Sequence, residues 1–454
     1  MKKISFEKLI FASLLVFTLF VLFYNYFHYS PKLGYDAPAH FSYIDYFSKY
    51  LPDRFNLPSQ KDSREFFNPP VAYIFPSIVQ VFCRNLIESN DFLTSCQSVY
   101  SKATMIFQFI LYILTIFINL KSIQKFLKMK TLYIPSYLLL ISMLSVNYRT
   151  IAMVRGEPYI LLFMSLLIYF LIDVYHQNFN VEKKYYFFVG LLIGLIALSR
   201  QWGFLLFPAF GLLFFSPIIN KSKDYLKFII YSFGIGFFTS SWFYFNLYLK
   251  YGTFTAFNLE SLGFNIKNKP FSFYIPNKDH LNFLFSNPIR PNLNNNFITT
   301  LYADVWGDYW GYFSFTSKYL NIGRNQSNIG SYFGNVNKIS LLFIIFILSF
   351  YFLANKKYKT DFINKYIRYS VTFSLLGYIW FVISYPEPTG DTVKATYIIQ
   401  MFHLIIFSAS LYIESIKKEK PIFYNGFLIL FFLIYIYNFQ TYLSHFPSDF
   451  VSNL

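Results

Sequence analysis

The sequence predicts an all-α integral membrane protein of about eleven transmembrane helices, and three observations carry that prediction. Hydrophobic residues make up 55% of the 454, charged residues only 13%, and the mean hydropathy is +0.39, more apolar surface than a soluble core of this length can bury. Eleven apolar runs are each about long enough to cross a hydrocarbon core of roughly 30 Å, allowing for tilt and a turn gained at each end. Between those runs, lysine-rich connections alternate with connections almost free of lysine.

The runs occupy residues 9–29, 103–120, 131–146, 159–174, 185–198, 202–219, 226–249, 339–353, 369–385, 397–413 and 422–437. The first is long and aromatic and lacks a small-residue cleavage site, so it is expected to stay as an anchor. A further apolar stretch, 70–87, is interrupted by Pro76 and crowded at its far end by Arg84, Asn85 and Glu88. Charge parity decides its placement. With 70–87 left at the membrane surface, Lys121/Lys125/Lys128/Lys130, Lys183/Lys184, Lys221/Lys223/Lys227, Lys356/Lys357/Lys359/Lys365/Arg368 and Lys417/Lys418/Lys420 share the side of Lys2, Lys3 and Lys8. The opposite short connections keep Arg149, Arg155, Arg200 and Lys394. Counting 70–87 as a span reverses every later connection and puts the lysines outside, so it is read as an interfacial helix.

That asymmetry also accounts for the formal charge of +17, which is spread through cytoplasmic anchors rather than gathered on one face, and nucleic acid is set aside as a partner. The expected placement is a bacterial plasma membrane with the N-terminus cytoplasmic, a composition rich in Lys, Asn, Ile, Phe and Tyr matching an AT-rich genome. Residues 1–454 form a single polytopic domain with two large external segments, 30–102 and 250–338. Cys83 and Cys96 both fall in the first of these, where a disulfide and two free thiols are equally open readings.

In segment 30–102, Asp36 is placed to cap a helix whose first turn tolerates Pro38. His40, Tyr43, Ile44, Phe47 and Leu51 follow on one helical face, so this helix is expected to lie flat on the membrane. Asn68-Pro69-Pro70 opens the second interfacial helix by the same logic, with Asn68 capping.

Five motifs in order along this topology resemble the C-type (GT-C fold) glycosyltransferases, in particular bacterial relatives of protein O-mannosyltransferases and of lipid A aminoarabinose transferases. They are Tyr35-Asp36-Ala37-Pro38-Ala39-His40, Asn68-Pro69-Pro70-Val71-Ala72-Tyr73, Arg155-Gly156-Glu157-Pro158, Ser199-Arg200-Gln201-Trp202 and Lys394-Ala395-Thr396-Tyr397. Many relatives carry Asp-Glu where this chain has Asp36-Ala37, so any role of that second acid is missing here.

The resemblance implies transfer of a sugar from a polyprenyl-phosphate-linked donor to an extracytoplasmic acceptor, whether lipid, glycan or protein. Asp36 is then the general base, and the family's second external acid falls on Glu157. Arg200 and Lys394, lone cations at the external ends of apolar runs, face the leaving phosphate, and inversion follows from a single displacement. Each residue has a plainer reading: Asp36 as an N-cap, His40 as an interfacial residue rather than a substrate ligand, Arg155 and Glu157 as an ion pair, and Arg200 and Lys394 as snorkelling cations. Asp304-Val305-Trp306-Gly307-Asp308-Tyr309-Trp310-Gly311-Tyr312 combines acids with flat rings, a set suited either to sugar contact or to an interfacial aromatic belt. No spacing indicates a closed metal site, and a divalent cation is left open as a cofactor. A sequon stands at Asn325-Gln326-Ser327. A flippase or transporter of lipid-linked saccharide is the alternative function, although no internal symmetry is visible. A catalytically silent scaffold is the third reading.

Overall fold

The computed structural model describes residues 6–51, 53–87, 92–255, 257–290, 292–314, 327–387 and 392–444, and within them every regular element is helical. Lys2, Lys3, Glu88 and the acceptor Asn325 of the sequon lie outside the described residues.

Helix α1 (Phe6–His28) shows why apolar runs become helices here. Ile10, Leu14, Thr18, Val21, Leu22 and Asn25 recur at helical spacing and are buried, while Leu9, Val16, Phe20, Phe23 and Phe27 stay exposed on the other face. A helix that is apolar all round suits a bilayer on one side and protein on the other. Helices α2 (Ala37–Tyr50) and α3 (Val71–Ile87) follow in the first large segment, and the 35-residue α4 (Phe92–Phe126) leaves it. A disulfide between Cys83 and Cys96 joins α3 to α4, with Cα atoms 5.9 Å apart.

Next come α5 (Pro135–Ser142), α6 (Ser145–Ala152), α7 (Glu157–His176), α8 (Lys183–Ser199), α9 (Pro208–Phe214) and α10 (Lys223–Tyr251). Ser222 caps α10 by accepting from the Tyr225 amide, and Gly252 closes it at φ 71°, a left-handed position that glycine adopts at little cost. Gly190 and Gly194 on α8 press against α10 around Gly236, so closely that a Cβ at any of the three overlaps the partner helix. Short helices α11 (Phe271–Tyr274), α12 (Lys278–Leu284) and α13 (Phe297–Trp306) build the second large segment. Then α14 (Ser327–Lys357), α15 (Phe362–Ser384), α16 (Ile399–Ile416) and α17 (Pro421–Tyr437) complete the bundle.

Among the described residues seven helices are long and apolar enough to cross a membrane, and they contain seven of the eleven predicted runs. Runs 185–198 and 422–437 lie in α8 and α17, each 17 residues or about 25 Å long. The other two are broken. Run 131–146 splits into α5 and α6, both fully buried, with Leu144 extended between them. No proline or glycine causes the break: the side chains of Asn147 and Tyr148 take the carbonyls of Ile141 and Ser142 at 3.0 and 3.1 Å, satisfying the end of α5 without a further turn. Run 202–219 becomes a 3-10 segment, Gln201–Leu206, followed by α9, which starts where Pro208 fixes the backbone for a first helical turn.

Helix α2 corrects one expectation. His40, Tyr43, Ile44 and Phe47 are buried together as the spacing predicts, but against protein rather than lipid, since Tyr73, Tyr100, Leu198, Phe243 and Tyr244 cover them. Asn68 departs as well. Its amide nitrogen donates to the Glu65 carboxylate and to the Tyr73 hydroxyl.

The bundle has two chemically distinct ends. At one, Lys417 pairs with Glu7, Lys125 with Asp173 at 2.5 Å, and Lys357 donates to Ser415. The opposite ends of α7, α8 and α16 carry Glu157, Arg200 and Lys394.

Candidate active site

A cavity of about 270 Å³ opens at that second end, lined among others by Asp36, Glu65, Asn68, Arg200, Trp202, Lys394 and Tyr397. Four of the five motifs contribute to its walls directly, and Glu157 of the fifth stands behind Arg200.

Asp36 sits at the N-cap position of α2 but does not cap it. Its backbone is left-handed at φ 51°, its side chain bonds no amide of the first turn, and its carboxylate instead accepts from Lys394 Nζ at 3.0 Å. Asp tolerates this backbone better than most residues, and a strained position at a cavity wall is characteristic of functional sites. The Asp36 side chain is 41% exposed, that of Lys394 only 9%. Burial works against the charge on Asp36, but Lys394, then Arg155 and His40, outweigh it and hold the carboxyl well below the usual range. It is ionised at neutral pH.

Arg200 is no lone cation either. Its Nε donates to Glu157 at 3.1 Å, and its Nη1 lies 3.7 Å from Glu65. All three side chains are buried. Burial pushes the Glu65 carboxyl up, Arg200 offsetting part of the effect and Asp36 adding to it. The pairing of Arg155 with Glu157 does not occur: Arg155 Nη2 donates to the Tyr35 carbonyl at 3.2 Å, and its guanidinium lies over the Tyr35 ring. Glycine at 156 makes the approach to Arg200 feasible, because a Cβ there collides with the Ser199 carbonyl and the Arg200 methylenes.

His40 is buried behind Asp36, its Nδ1 2.7 Å from the Tyr73 hydroxyl and its Nε2 without a protein partner. Burial first, then Arg155 and Arg200, press its pKa well below the ordinary value, so the ring is neutral at pH 7.

The acids and rings of 304–310 sit elsewhere. Asp304 accepts from Arg149 Nη2 at 2.9 Å, from the Ala395 amide at 2.7 Å and from the Tyr35 hydroxyl at 3.3 Å, wholly buried. Asp308 accepts from the amides of Tyr312, Phe313 and Ser314 and so fastens its own turn. Trp310 donates to the Val393 carbonyl, and Trp306 packs on Phe343 at the edge of a separate apolar cavity of about 410 Å³. None of the four lines the polar cavity. All four are buried, and Asp304 and Trp310 bond the backbone on either side of Lys394, at Ala395 and Val393. The flat faces expected there come instead from Trp202 and Tyr397, stacked 5.0 Å apart, with Phe257 and Phe381 beside them.

Glu65 was not singled out by sequence reasoning, and Trp202 and Tyr397 appeared there only as motif residues without a role. Glu65 follows Lys61, Asp62 and Arg64, a run that reads as a solvated loop, and only its burial distinguishes it. Trp202 and Tyr397 close the motifs that begin at Ser199 and Lys394, two and three residues after Arg200 and Lys394. Among the described residues no three of His, Cys, Asp and Glu converge as a metal site.

No family model and no curated protein matches the chain. Among solved structures it is similar to the oligosaccharyltransferase AglB of Archaeoglobus fulgidus in complex with an inhibitory peptide and a dolichol-phosphate, with a TM-score of 0.49 and 10% identity over 97% of this chain and 56% of that one. The oligosaccharyltransferase from the same organism in its apo form gives 0.48 and 11% over 98% and 57%. Its complex with Zn and sulfate gives 0.47 and 11% over 96% and 54%. The chain spans a little over half the length of these proteins.

Proposed function

We propose that this chain is a membrane glycosyltransferase that moves a sugar from a polyprenyl-phosphate donor to an extracytoplasmic acceptor, with inversion. The observation that carries the proposal is the convergence, on one cavity, of a half-open carboxylate, a buried lysine against it and a buried arginine, drawn from segments hundreds of residues apart. Pairing a base with fixed cations is what displacement of a phosphate by a hydroxyl needs.

In this reading the acceptor hydroxyl gives its proton to Asp36 as its oxygen bonds to the anomeric carbon. The bond from that carbon to the phosphate oxygen breaks, and polyprenyl phosphate leaves with one more negative charge. Lys394 and Arg200 stabilise that charge. Lys394 also tunes the base, because a phosphate that draws Nζ away from Asp36 removes the main influence lowering its pKa. Trp202 and Tyr397 flank the sugar, Arg155 stiffens the turn holding Asp36, and Glu157 and Glu65 hold Arg200 in place. Glu157 thus acts through Arg200 rather than as a second base. The lysine-rich end of the bundle lies in the cytoplasm, leaving the cavity extracytoplasmic.

A panel of radiolabelled polyprenyl-phosphate hexoses and pentoses, incubated with the purified protein in nanodiscs, tests the proposal. Label released from the lipid, to acceptor or to water, is expected for at least one donor. The alternative of a saccharide flippase gains one observation, the two broken runs at α5/α6 and at Gln201–Leu206/α9, since interrupted helices are common in transporters. Intact donor moved between leaflets without release of label favours it.

A further inference from the structure

The second large segment carries an apolar surface that the reaction does not use. Leu262, Phe264, Ile266, Phe271 and Ile275 are 53–75% exposed, although they belong to the segment between α10 and α14 rather than to a helix of crossing length. Exposed apolar side chains gathered in this way mark a contact with a membrane or a protein.

Two sets of contacts fix the height of this surface. Leu262 N donates to the carbonyl of Ser384 at 2.9 Å, and Asn268 Nδ2 donates to that of Ile383 at 3.0 Å, so residues 262–268 are fastened to the last turn of α15. That helix is one of the seven of crossing length, and Trp380, one turn below, is half exposed like an interfacial anchor. Phe254 folds back to stack on Tyr248 at 4.6 Å, continuing the exposed apolar face of α10 beyond its end at Tyr251. The segment therefore lies where two spans leave the hydrocarbon, not above it. Lys250, Lys267 and Lys278 are exposed among the apolar side chains and outnumber the exposed acids Glu260 and Asp279, a positive balance that suits anionic headgroups.

We infer that residues 257–278 form a monotopic ledge whose apolar side chains rest in the leaflet at the C-terminal end of α15, with its lysines among the headgroups. The occupant is the lipid surface. Phe257, Asn258 and Leu259, at the start of the ledge, also line the polar cavity, so the ledge forms the lipid-side threshold of that cavity. The inference stands whether or not the cavity transfers sugar.

Single cysteines at Phe264, Phe271 and Ile275, labelled with an environment-sensitive fluorophore in full-length protein, test it, since Cys83 and Cys96 are tied to each other. The labelled proteins are placed in nanodiscs of phosphatidylcholine and phosphatidylglycerol, and quenching by headgroup or shallow acyl spin labels is compared with quenching by aqueous iodide. The ledge predicts blue-shifted emission at all three positions, with lipid quenching at least threefold stronger than iodide quenching. Strong iodide quenching overturns it by placing the segment in water. Protection from both quenchers overturns it as well, because the cover is then protein. Correctly assembled protein is confirmed for each variant by size exclusion, and agreement of at least two positions decides the result.

Discussion

Two ionic clusters lie side by side in this molecule, and the chain divides adjacent residues between them. Tyr35 reaches Asp304 while Asp36 reaches Lys394; Lys394 reaches Asp36 while Ala395 donates to Asp304. The cluster of Arg149 and Asp304 is closed, with side chains 1% and 0% exposed and the carboxylate held by three different residues. The cluster of Asp36 and Lys394 opens on a cavity, and its carboxylate has one close ionic partner. A saturated, buried pair holds segments together but has no capacity left for a ligand. The open pair, fixed in position by the closed one, retains it.

The contrast is sharpest where the closed pair is cut. Arg149→Met leaves Asp304 buried without its cation, which costs about 3–5 kcal/mol, so denaturation of the purified variant should begin well below that of the parent. An unchanged midpoint would mean the two clusters are not energetically distinct. Lys394→Gln acts on the open pair and should leave the midpoint nearly unchanged while lowering kcat/KM about tenfold to 150-fold, the loss of one charge-assisted contact of about 1.5–3 kcal/mol. If KM rises and kcat holds, Lys394 binds the ground state as firmly as the transition state.

Gly156→Ala tests whether the close approach of Glu157 and Arg200 matters. Overlap with the Ser199 carbonyl forces a shift costing about 1–3 kcal/mol, and transfer should fall further than stability does. The smallest effect concerns pH. Burial raises the Glu65 carboxyl above its unfolded value, so its contribution to stability is present below that unfolded value and is lost as pH rises through the folded one. Asp36 runs the other way, its lowered carboxyl contributing stability above the ordinary carboxylate value and losing it as pH falls through the folded one. Glu65→Gln should flatten the fall of stability with rising pH, which a melting series from pH 4 to 8 checks.

Much of the bundle was legible because apolar length and lysine placement are local signals, as the seven long helices illustrate. The break between α5 and α6 was not, since it depends on Asn147 and Tyr148 folding back onto α5. At the cavity, Asp36, Arg200 and Lys394 stood out as charges at the ends of apolar runs. Their pairings did not. Glu157 meets Arg200 across 43 positions and Asp36 meets Lys394 across 358, pairings that only the packed bundle determines. The acids and tryptophans of 304–310 have a composition suited to sugars, and the packed bundle buries them away from the polar cavity.

The central claim is that the open pair performs the chemistry, and Asp36→Asn measures it most directly. The substitution removes the base but keeps the shape and an amide oxygen that still accepts from Lys394, on a side chain 41% exposed, so folding should survive. Initial rates of sugar release from a polyprenyl-phosphate donor, compared at equal amounts of folded protein, should fall at least about 100-fold. A well-folded Asp36→Asn protein that releases sugar at the parent rate would contradict the account.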